Sequence, residues 1–291
     1  GIMDGFFLVD KPKGMTSFDV VYRIKKQFKL KKCGHSGTLD PNTTGLLIVA
    51  CDKATKLLKL LQAKDKIYDA TICFGYDSNT LDFDGTITKD IVMNFDEAAL
   101  DLALEEIQKR KTQLPPMVSA IKVNGHKLYE HERKQVSVLL AERPIELYSI
   151  KKLSSLRLVN QHLEVDLRIH CSKGFYVRSF AKDLGIILQG CAILKELRRI
   201  ASGSHLLEHA TSLTCLQEAN LKNIQEIFPN FGTLEVDDYI AKLVRNGVTL
   251  DERQTTTTEP FFVTNHQKSI AIYEPIEKNR YKPILIYTEG E

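Results

Sequence analysis

At 291 residues the chain is long enough for one large domain and a small one, and its 43% hydrophobic and 26% charged residues are those of an ordinary soluble globular protein. Its net charge of +3 is too small to identify a nucleic-acid partner by itself. No apolar run approaches the roughly 20 residues that span a bilayer, and no signal-like pattern opens the chain, so the cytoplasm is the expected compartment. The six cysteines are widely separated and form no CxxC pair, which predicts free buried thiols rather than zinc ligands or disulfides.

Taken in chain order, Gly5 to Asp10 is an apolar run suited to a buried strand, ended by Lys11-Pro12 and Gly14. Thr16 or Ser17 then caps a helix in which Val20, Val21, Ile24 and Phe28 recur at helical spacing. Leu46 to Ala50 reads as a buried strand and Ala54 to Gln62 as a short helix. Ile67 to Phe74 alternates, which places Tyr68, Ala70, Ile72 and Phe74 on one face. Phe95 to Lys111 is the clearest amphipathic helix, with Leu100, Ala103, Leu104 and Ile107 on its buried stripe.

Val118 to Tyr129 carries a hairpin signal around Asn124-Gly125, a pair suited to a type I′ turn. Strands are expected around Pro144 to Leu158 and His162 to Cys171, with a turn at Asn160-Gln161 between them. The Ser172-Lys173-Gly174 turn leads into a helix over Tyr176 to Leu188. Ala192 to Ala201 and Ser204 to Leu207 return to strand, and Leu213 to Ala219 reads as helix. Strands and helices mix without a regular βαβ rhythm, so the fold class is α+β, with a mixed, largely antiparallel sheet and flanking helices. A boundary near Phe228-Pro229 separates a main domain, residues 1–228, from a small, mostly β unit, residues 229–291. In that unit a helix over Val236 to Asn246 precedes strands around Phe261 to Thr264, Ser269 to Tyr273 and Pro283 to Tyr287, with a turn at Glu274-Pro275.

The most distinctive stretch is Gly34-His35-Ser36-Gly37-Thr38-Leu39-Asp40-Pro41, closed by Gly45. Pro41 biases Asp40 toward extended backbone and fixes the chain just after a lone carboxylate. The loop lacks the GK[ST] ending of a P-loop, so triphosphate binding is disfavoured. Before it, Lys11, Lys13, Arg23, Lys25, Lys26, Lys29, Lys31 and Lys32 are met by only Asp4, Asp10 and Asp19, and such a cluster would attract phosphates. His205 to His209 matches an HxxEH pattern, but that chemistry needs a helix, and the surrounding residues read as strand. Asn42-Thr43-Thr44 matches a glycosylation acceptor that is expected to be silent without secretion. Asp40 therefore stands as a carboxylate without a metal partner or a nearby His-Ser pair. Such a group needs a cation to orient it, for which Arg178 is the candidate, and Tyr68 and Tyr176 are candidates for stacking on a base or sugar. Spacing alone does not join these residues into one site.

A series of linked motifs does. Asp10-Lys11-Pro12-Lys13-Gly14, the GHSGTLDP loop with Thr44-Gly45, and Lys66-Ile67-Tyr68 are followed by Gly75 to Gly85 and Gln113-Leu114-Pro115-Pro116. Ser119-Ala120-Ile121-Lys122, Gly125 with Tyr129, Cys171 to Arg178, Asp183-Leu184-Gly185 and Glu196-Leu197-Arg198-Arg199 complete the order. Over roughly residues 4–215 the chain resembles the TruB family of pseudouridine synthases, which isomerise a uridine in the T loop of tRNA (position 55) to pseudouridine. The resemblance implies the pseudouridine synthase fold. It also implies that Asp40 is the catalytic aspartate, that Tyr68 contacts the target base and that Arg178 pairs with Asp40. Lys11 and Pro12 resemble the family's supporting residues beneath the site, His35 the histidine that helps hold the opened T loop, and Asp82 the acidic residue of the Gly75–Gly85 loop. Tyr176 and Leu197 resemble residues packing around the target nucleotide.

An RNA-clasping insertion is implied at about residues 112–142, centred on Lys122 to Lys134, and the final unit weakly resembles a PUA-type RNA-binding domain. The partner implied is the tRNA T stem-loop, acted on by a monomer without guide RNA, membrane, metal or cofactor. The loop glycines are then expected to allow close approach of RNA. The chain departs from the family pattern at Ser78-Asn79, where a Thr-Asp pair is usual, and at Glu132, where Ala is common. Both departures are expected to alter RNA contacts more than chemistry.

Overall fold

The computed structural model describes residues 3–116 and 141–287, with the backbone pairs 122–123 and 126–127 between them. Strand β1 (Gly5–Lys11), helix α1 (Ser17–Gln27) and strands β2 (Cys33–His35), β3 (Thr44–Cys51) and β4 (Lys66–Phe74) come first. Helix α2 (Glu97–Gln108), strands β5 (Leu147–Lys152) and β6 (His162–Cys171), helix α3 (Val177–Ile187) and strand β7 (Ala192–Ser202) follow. They build a ten-stranded sheet whose main path runs β5-β6-β4-β7-β3-β1 and ends on the short strand Thr211–Ser212. Most neighbours are antiparallel; β7 with β3, and β1 with the edge strand, are parallel. The expected α+β class, with a mixed and largely antiparallel sheet, is the one observed.

The apolar runs of β1 and β3 are explained by burial on both faces of the sheet. Phe7, Val9, Leu47 and Val49 point to α1, where they meet Val20, Val21 and Ile24. Their alternates Phe6, Leu8, Leu46 and Ile48 point the other way, onto Ile227, Phe228, Phe262, Ile272 and Leu285. On β4, Ala70, Ile72 and Phe74 share one face as the alternation predicted, and pack with Leu100, Leu104 and Ile107 of α2 and Phe180 and Leu184 of α3.

The C-terminal part is a small, mostly β domain. Strands β8 (Gly232–Glu235), β9 (Phe261–Asn265), β10 (Lys268–Glu277) and β11 (Arg280–Ile286) form a five-stranded sheet with Leu250–Asp251, and helix α4 (Asp238–Arg245) lies after β8. Phe262, Ile272 and Leu285 dock it directly on the underside of β1 and β3.

Several local expectations are corrected. Strand β10 runs through Glu274-Pro275, and the turn falls later, at Asn279 with φ 55°. Pro275 is tolerated because β9 pairs only as far as Tyr273, so no partner on that side needs the missing N–H, and a register shift follows between Pro275 and Glu277. Leu213 to Ala219 is not one helix but two 3₁₀ turns, Leu213–Cys215 and Glu218–Asn220. Leu213 and Leu216 are buried at a spacing of three, which one tight turn satisfies. Ala54 to Gln62 is likewise split, into a 3₁₀ helix Asp52–Leu57 and a short α-helix Leu58–Gln62. The strand expected over Pro144 to Leu158 breaks into Arg143–Pro144, Leu147–Lys152 and Arg157–Val159, the last two both pairing with β6. All six cysteines are free, but Cys215 is exposed rather than buried and Cys33 is half-buried. No helix among the described residues is long and apolar enough to cross a membrane.

Candidate active site

Asp40 is held by its neighbours rather than by its own side chain. The Thr43 N–H donates to the Asp40 carbonyl at 2.9 Å and the Gly14 N–H to the Pro41 carbonyl at 2.7 Å. Leu39 is buried, and the Ser17 hydroxyl binds its backbone twice, donating to the carbonyl at 3.1 Å and accepting from the N–H at 2.8 Å. Ser17 is free for this because Thr16 is the cap of α1, in a reciprocal capping box with Asp19. Beneath the turn, the fully buried Lys11 ammonium donates to the carbonyls of Pro12 (2.8 Å), Met15 (2.5 Å) and Pro41 (3.2 Å). Lys11 therefore leaves the surface basic cluster in which its sequence position had put it. Burial pushes its pKa down, while the nearby Asp40 and Asp19 carboxylates push it back up.

Opposite the turn, Arg178 lies in the first turn of α3. Its Nη2 is 3.8 Å from Asp40 Oδ2, with side chains 15% and 52% exposed respectively, and its Nη1 donates to the Thr80 carbonyl at 3.4 Å. Helix α3 begins after Tyr176, which has extended backbone and no side-chain cap. The buried Gln113 amide supplies the missing anchor. Its Oε1 accepts from the Tyr176 N–H at 2.9 Å, and its Nε2 donates to the Tyr176 carbonyl at 3.1 Å.

Between these elements lies a cavity of about 460 Å³, within the usual span of small-molecule sites. Asp40, Tyr68, Asp82, Tyr176, Arg178 and Leu197 all line it. Burial pushes the Tyr68 hydroxyl up, while Arg199, its cross-strand partner on β7, pulls it back down. Asp82 sits on a loop that Ser78 and Asn79 fasten from within. The Ser78 hydroxyl donates to the Asp82 carbonyl at 2.6 Å and accepts from its N–H at 3.1 Å, and Asn79 Oδ1 accepts from the Thr86 N–H at 2.8 Å. The departure from Thr-Asp at this pair therefore bears on the shape of the loop that carries Asp82.

Three expected site residues do not line the cavity: Lys11, buried beneath the turn, and Pro12 and His35. Pro12 is exposed and contributes its carbonyl to Lys11. His35 ends β2 half-buried, its Nδ1 enclosed without a hydrogen-bond partner. Burial and then the Arg199 charge lower the His35 pKa, which holds the ring toward its neutral form. Glu132 and most of the clasping insertion lie outside the described residues. Within that insertion Lys122–Val123 pairs antiparallel with His126–Lys127, the pairing expected for a hairpin there. His205 and His209 do not share a helical face: His205 is on a two-residue strand with Nε2 2.8 Å from the Ile227 carbonyl, and His209 ends a 3₁₀ turn.

Arg199 and Gln113 were given no role by the sequence reading, although both fall in its motif stretches. Arg199 is buried, donating from Nε to the Leu46 carbonyl at 2.8 Å and from Nη2 to the Gly37 carbonyl at 3.0 Å. An arginine on a strand whose same-face neighbours are apolar was the available signal. Among the loop glycines, Arg199 accounts for Gly45, whereas a Cβ on Gly37 would make only an ordinary contact with it. A Cβ on Gly45, at φ +108°, would stand 2.2 Å from the Arg199 carbonyl oxygen, and one on Gly37 would stand 3.4 Å from Arg199 Nη1.

Comparison with known proteins places these features in a family. The profile of the "TruB family pseudouridylate synthase (N terminal domain)" matches residues 25–177. The tRNA pseudouridine synthase B of Aster yellows witches'-broom phytoplasma is 40% identical over 97% of this chain and 99% of its own length. That of Lactobacillus acidophilus is 34% identical over the whole of both chains. In fold, the chain is similar to a chain in the crystal structure of a Cbf5-Nop10-Gar1 complex, with TM-score 0.72 and 21% identity over 98% of this chain and 84% of that one. The chain belongs to the TruB family of pseudouridylate synthases.

Proposed function

We propose that the protein isomerises the uridine at position 55 in the T loop of tRNA to pseudouridine, with Asp40 as the catalytic carboxylate. The observation that carries this reading is the Asp40–Arg178 pair at 3.8 Å, set on a Lys11-braced turn and opening on a cavity walled by Tyr68. Relatives of nearly equal length that are named as tRNA pseudouridine synthases support tRNA as the substrate.

A uridine inside a folded loop must leave its stack before its glycosidic bond can be reached, at a cost of a few kcal/mol. Tyr68 against the base, with Tyr176 and Leu197 around the nucleotide, offsets that cost by packing and stacking. Arg178 orients Asp40, which acts on the ribose either by adding to C1′ or by taking the C2′ proton. The C1′–N1 bond breaks, the uracil turns within the cavity, and a C1′–C5 bond forms as the Asp40–C1′ bond breaks or, on the second route, as Asp40 returns its proton to C2′. C5 then loses its proton to solvent, N1 gains one, and the atoms balance without water, metal or redox cofactor entering the product. Asp82 lines the cavity beside the base, Lys11 and Pro12 brace the floor, and His35 meets the opened loop from outside the cavity. Residues 1–228 form the catalytic unit, with the clasp at about 112–142. Residues 229–291 serve as a PUA-like RNA-binding unit, and the enzyme acts as a cytoplasmic monomer without guide RNA.

Position-resolved pseudouridine mapping of an unmodified tRNA transcript, with and without the protein, tests the proposal. Modification confined to position 55, and reproduced on a bare T stem-loop, is the expected result. Modification at another position, or only when a guide RNA is added, would overturn it.

A further inference from the structure

The catalytic cavity leaves one conspicuous surface feature unused. Helix α1 buries Ser17, Val20, Val21 and Ile24 and turns the opposite face outward. On that face Phe18 is 71% and Tyr22 59% exposed, their rings 6.5 Å apart and within 22° of parallel. Phe18 and Tyr22 are four residues apart and Lys25 and Lys26 continue the same stripe one turn later, because residues at these spacings stack along one side of a helix. Lys29, just past the helix end, extends the line, and all three lysines are exposed. The helix's one acidic side chain, Asp19, is engaged in the capping box with Thr16. Lysines in a last helical turn suit the macrodipole on their own, but that gives no reason for two adjacent aromatic rings in water.

The face is continuous with the catalytic loop. Ser17, next to Phe18, is bonded to Leu39, next to Asp40. Over its 11 residues the helix carries the stripe about 16 Å away from that loop. Aromatic rings beside a row of flexible cations are the elements of a stacking platform with a phosphate track.

We propose that this face of α1 is a second RNA-docking surface, on which Lys25, Lys26 and Lys29 hold backbone phosphates and the Phe18–Tyr22 pair stacks an unpaired base. The inference rests on the RNA reading of the catalytic cavity and extends it to RNA outside the target nucleotide. The surface supplies affinity and register, and takes no part in the isomerisation.

The test measures Kd for full-length tRNA across a series of salt concentrations, and kcat at saturating tRNA. Lys25→Ala/Lys26→Ala/Lys29→Ala should raise Kd about tenfold and flatten the slope of log affinity against log salt by about 2, as expected when about three phosphate contacts are lost. Phe18→Ala/Tyr22→Ala should raise Kd at least about fivefold with the salt slope unchanged, the signature of lost stacking. In both variants kcat should stay within twofold of wild type. The charge-conserving Lys25→Arg/Lys26→Arg/Lys29→Arg should keep wild-type Kd and slope, and thermal melts should match throughout. Unchanged RNA affinity in both alanine variants, or a lysine variant with an unaltered salt slope, would overturn the proposal, including in favour of a protein partner. Kd is read whether or not the RNA is modified. Failure of the wild type to make pseudouridine would therefore count against the proposed reaction alone.

Discussion

Arg199 holds Gly37 to the sheet: its Nη2 donates to the Gly37 carbonyl at 3.0 Å, while Nε of the same guanidinium donates to the Leu46 carbonyl at 2.8 Å. One buried fork thus binds both ends of the loop that carries Asp40, and its charge lies beside Tyr68 and His35. A single ammonium cannot reproduce that geometry. Arg199→Lys should lose about 1.5–3 kcal/mol of stability, the scale of buried hydrogen bonds to a charged group. It should also lower kcat at least tenfold, with tRNA affinity little changed. Urea unfolding and tritium release from 5-tritiated uridine in tRNA measure the two effects; wild-type values in both would refute the positioning role.

Gly45 is required by the same neighbour. At φ +108° its added Cβ would meet the Arg199 backbone at 2.2 Å, whereas at Gly174, with φ +77°, a Cβ would meet nothing within 4 Å. Gly174→Ala should cost about 1–2 kcal/mol, the left-handed backbone term alone. Gly45→Ala should cost clearly more, because β3 and β7 must also separate. Equal unfolding free energies for the two variants would contradict this account of the loop.

Arg178 approaches Asp40 from the start of α3 while also donating to Thr80. Arg178→Lys keeps the charge and loses the planar fork, so kcat should fall about a hundredfold or more with Kd for tRNA within a few-fold. Single-turnover kinetics would separate the two quantities. A near-normal rate would remove Arg178 from the catalytic set.

Lys66 supplies a pH signature. Burial and the Arg199 charge lower its pKa to about 8, although its Nζ donates to the Lys64 carbonyl at 2.6 Å. Between about pH 8 and the ordinary lysine value the unfolded chain holds a proton that the folded chain has released. Stability from this group therefore rises with pH in that window, by at most about 1.4 kcal/mol per unit. Relative to Lys66→Met, wild type should gain stability between pH 8 and pH 10, since the thiols that titrate there are common to both proteins. A stability difference that is flat across that window would show that Lys66 is not held in this environment.

The parts of this structure that were legible in the sequence are those governed by local periodicity. Alternation over Ile67 to Phe74 put Tyr68, Ala70, Ile72 and Phe74 on the right face, and the Phe95 to Lys111 periodicity found α2 to within a turn. Reading failed where tertiary pairing overrides local preference. Pro275 continues a strand because its N–H side has no neighbour, and Leu213 to Ala219 breaks into separate turns around two buried leucines. Spacing alone could not gather the site, since Asp40 and Arg178 meet only through the sheet that separates them in sequence. Linked family motifs did that work. They gave no indication that Arg199 ties down both ends of the loop or that Gln113 clasps the backbone of Tyr176; it was charge clustering, not the motifs, that misplaced the buried Lys11 among surface cations.

The central claim, that Asp40 performs the chemistry, is tested most directly by Asp40→Asn, which keeps the shape of the side chain and removes its charge. Tritium release from 5-tritiated uridine in tRNA should fall to background, while tRNA Kd stays within a few-fold of wild type. Substantial turnover by Asp40→Asn would contradict the account.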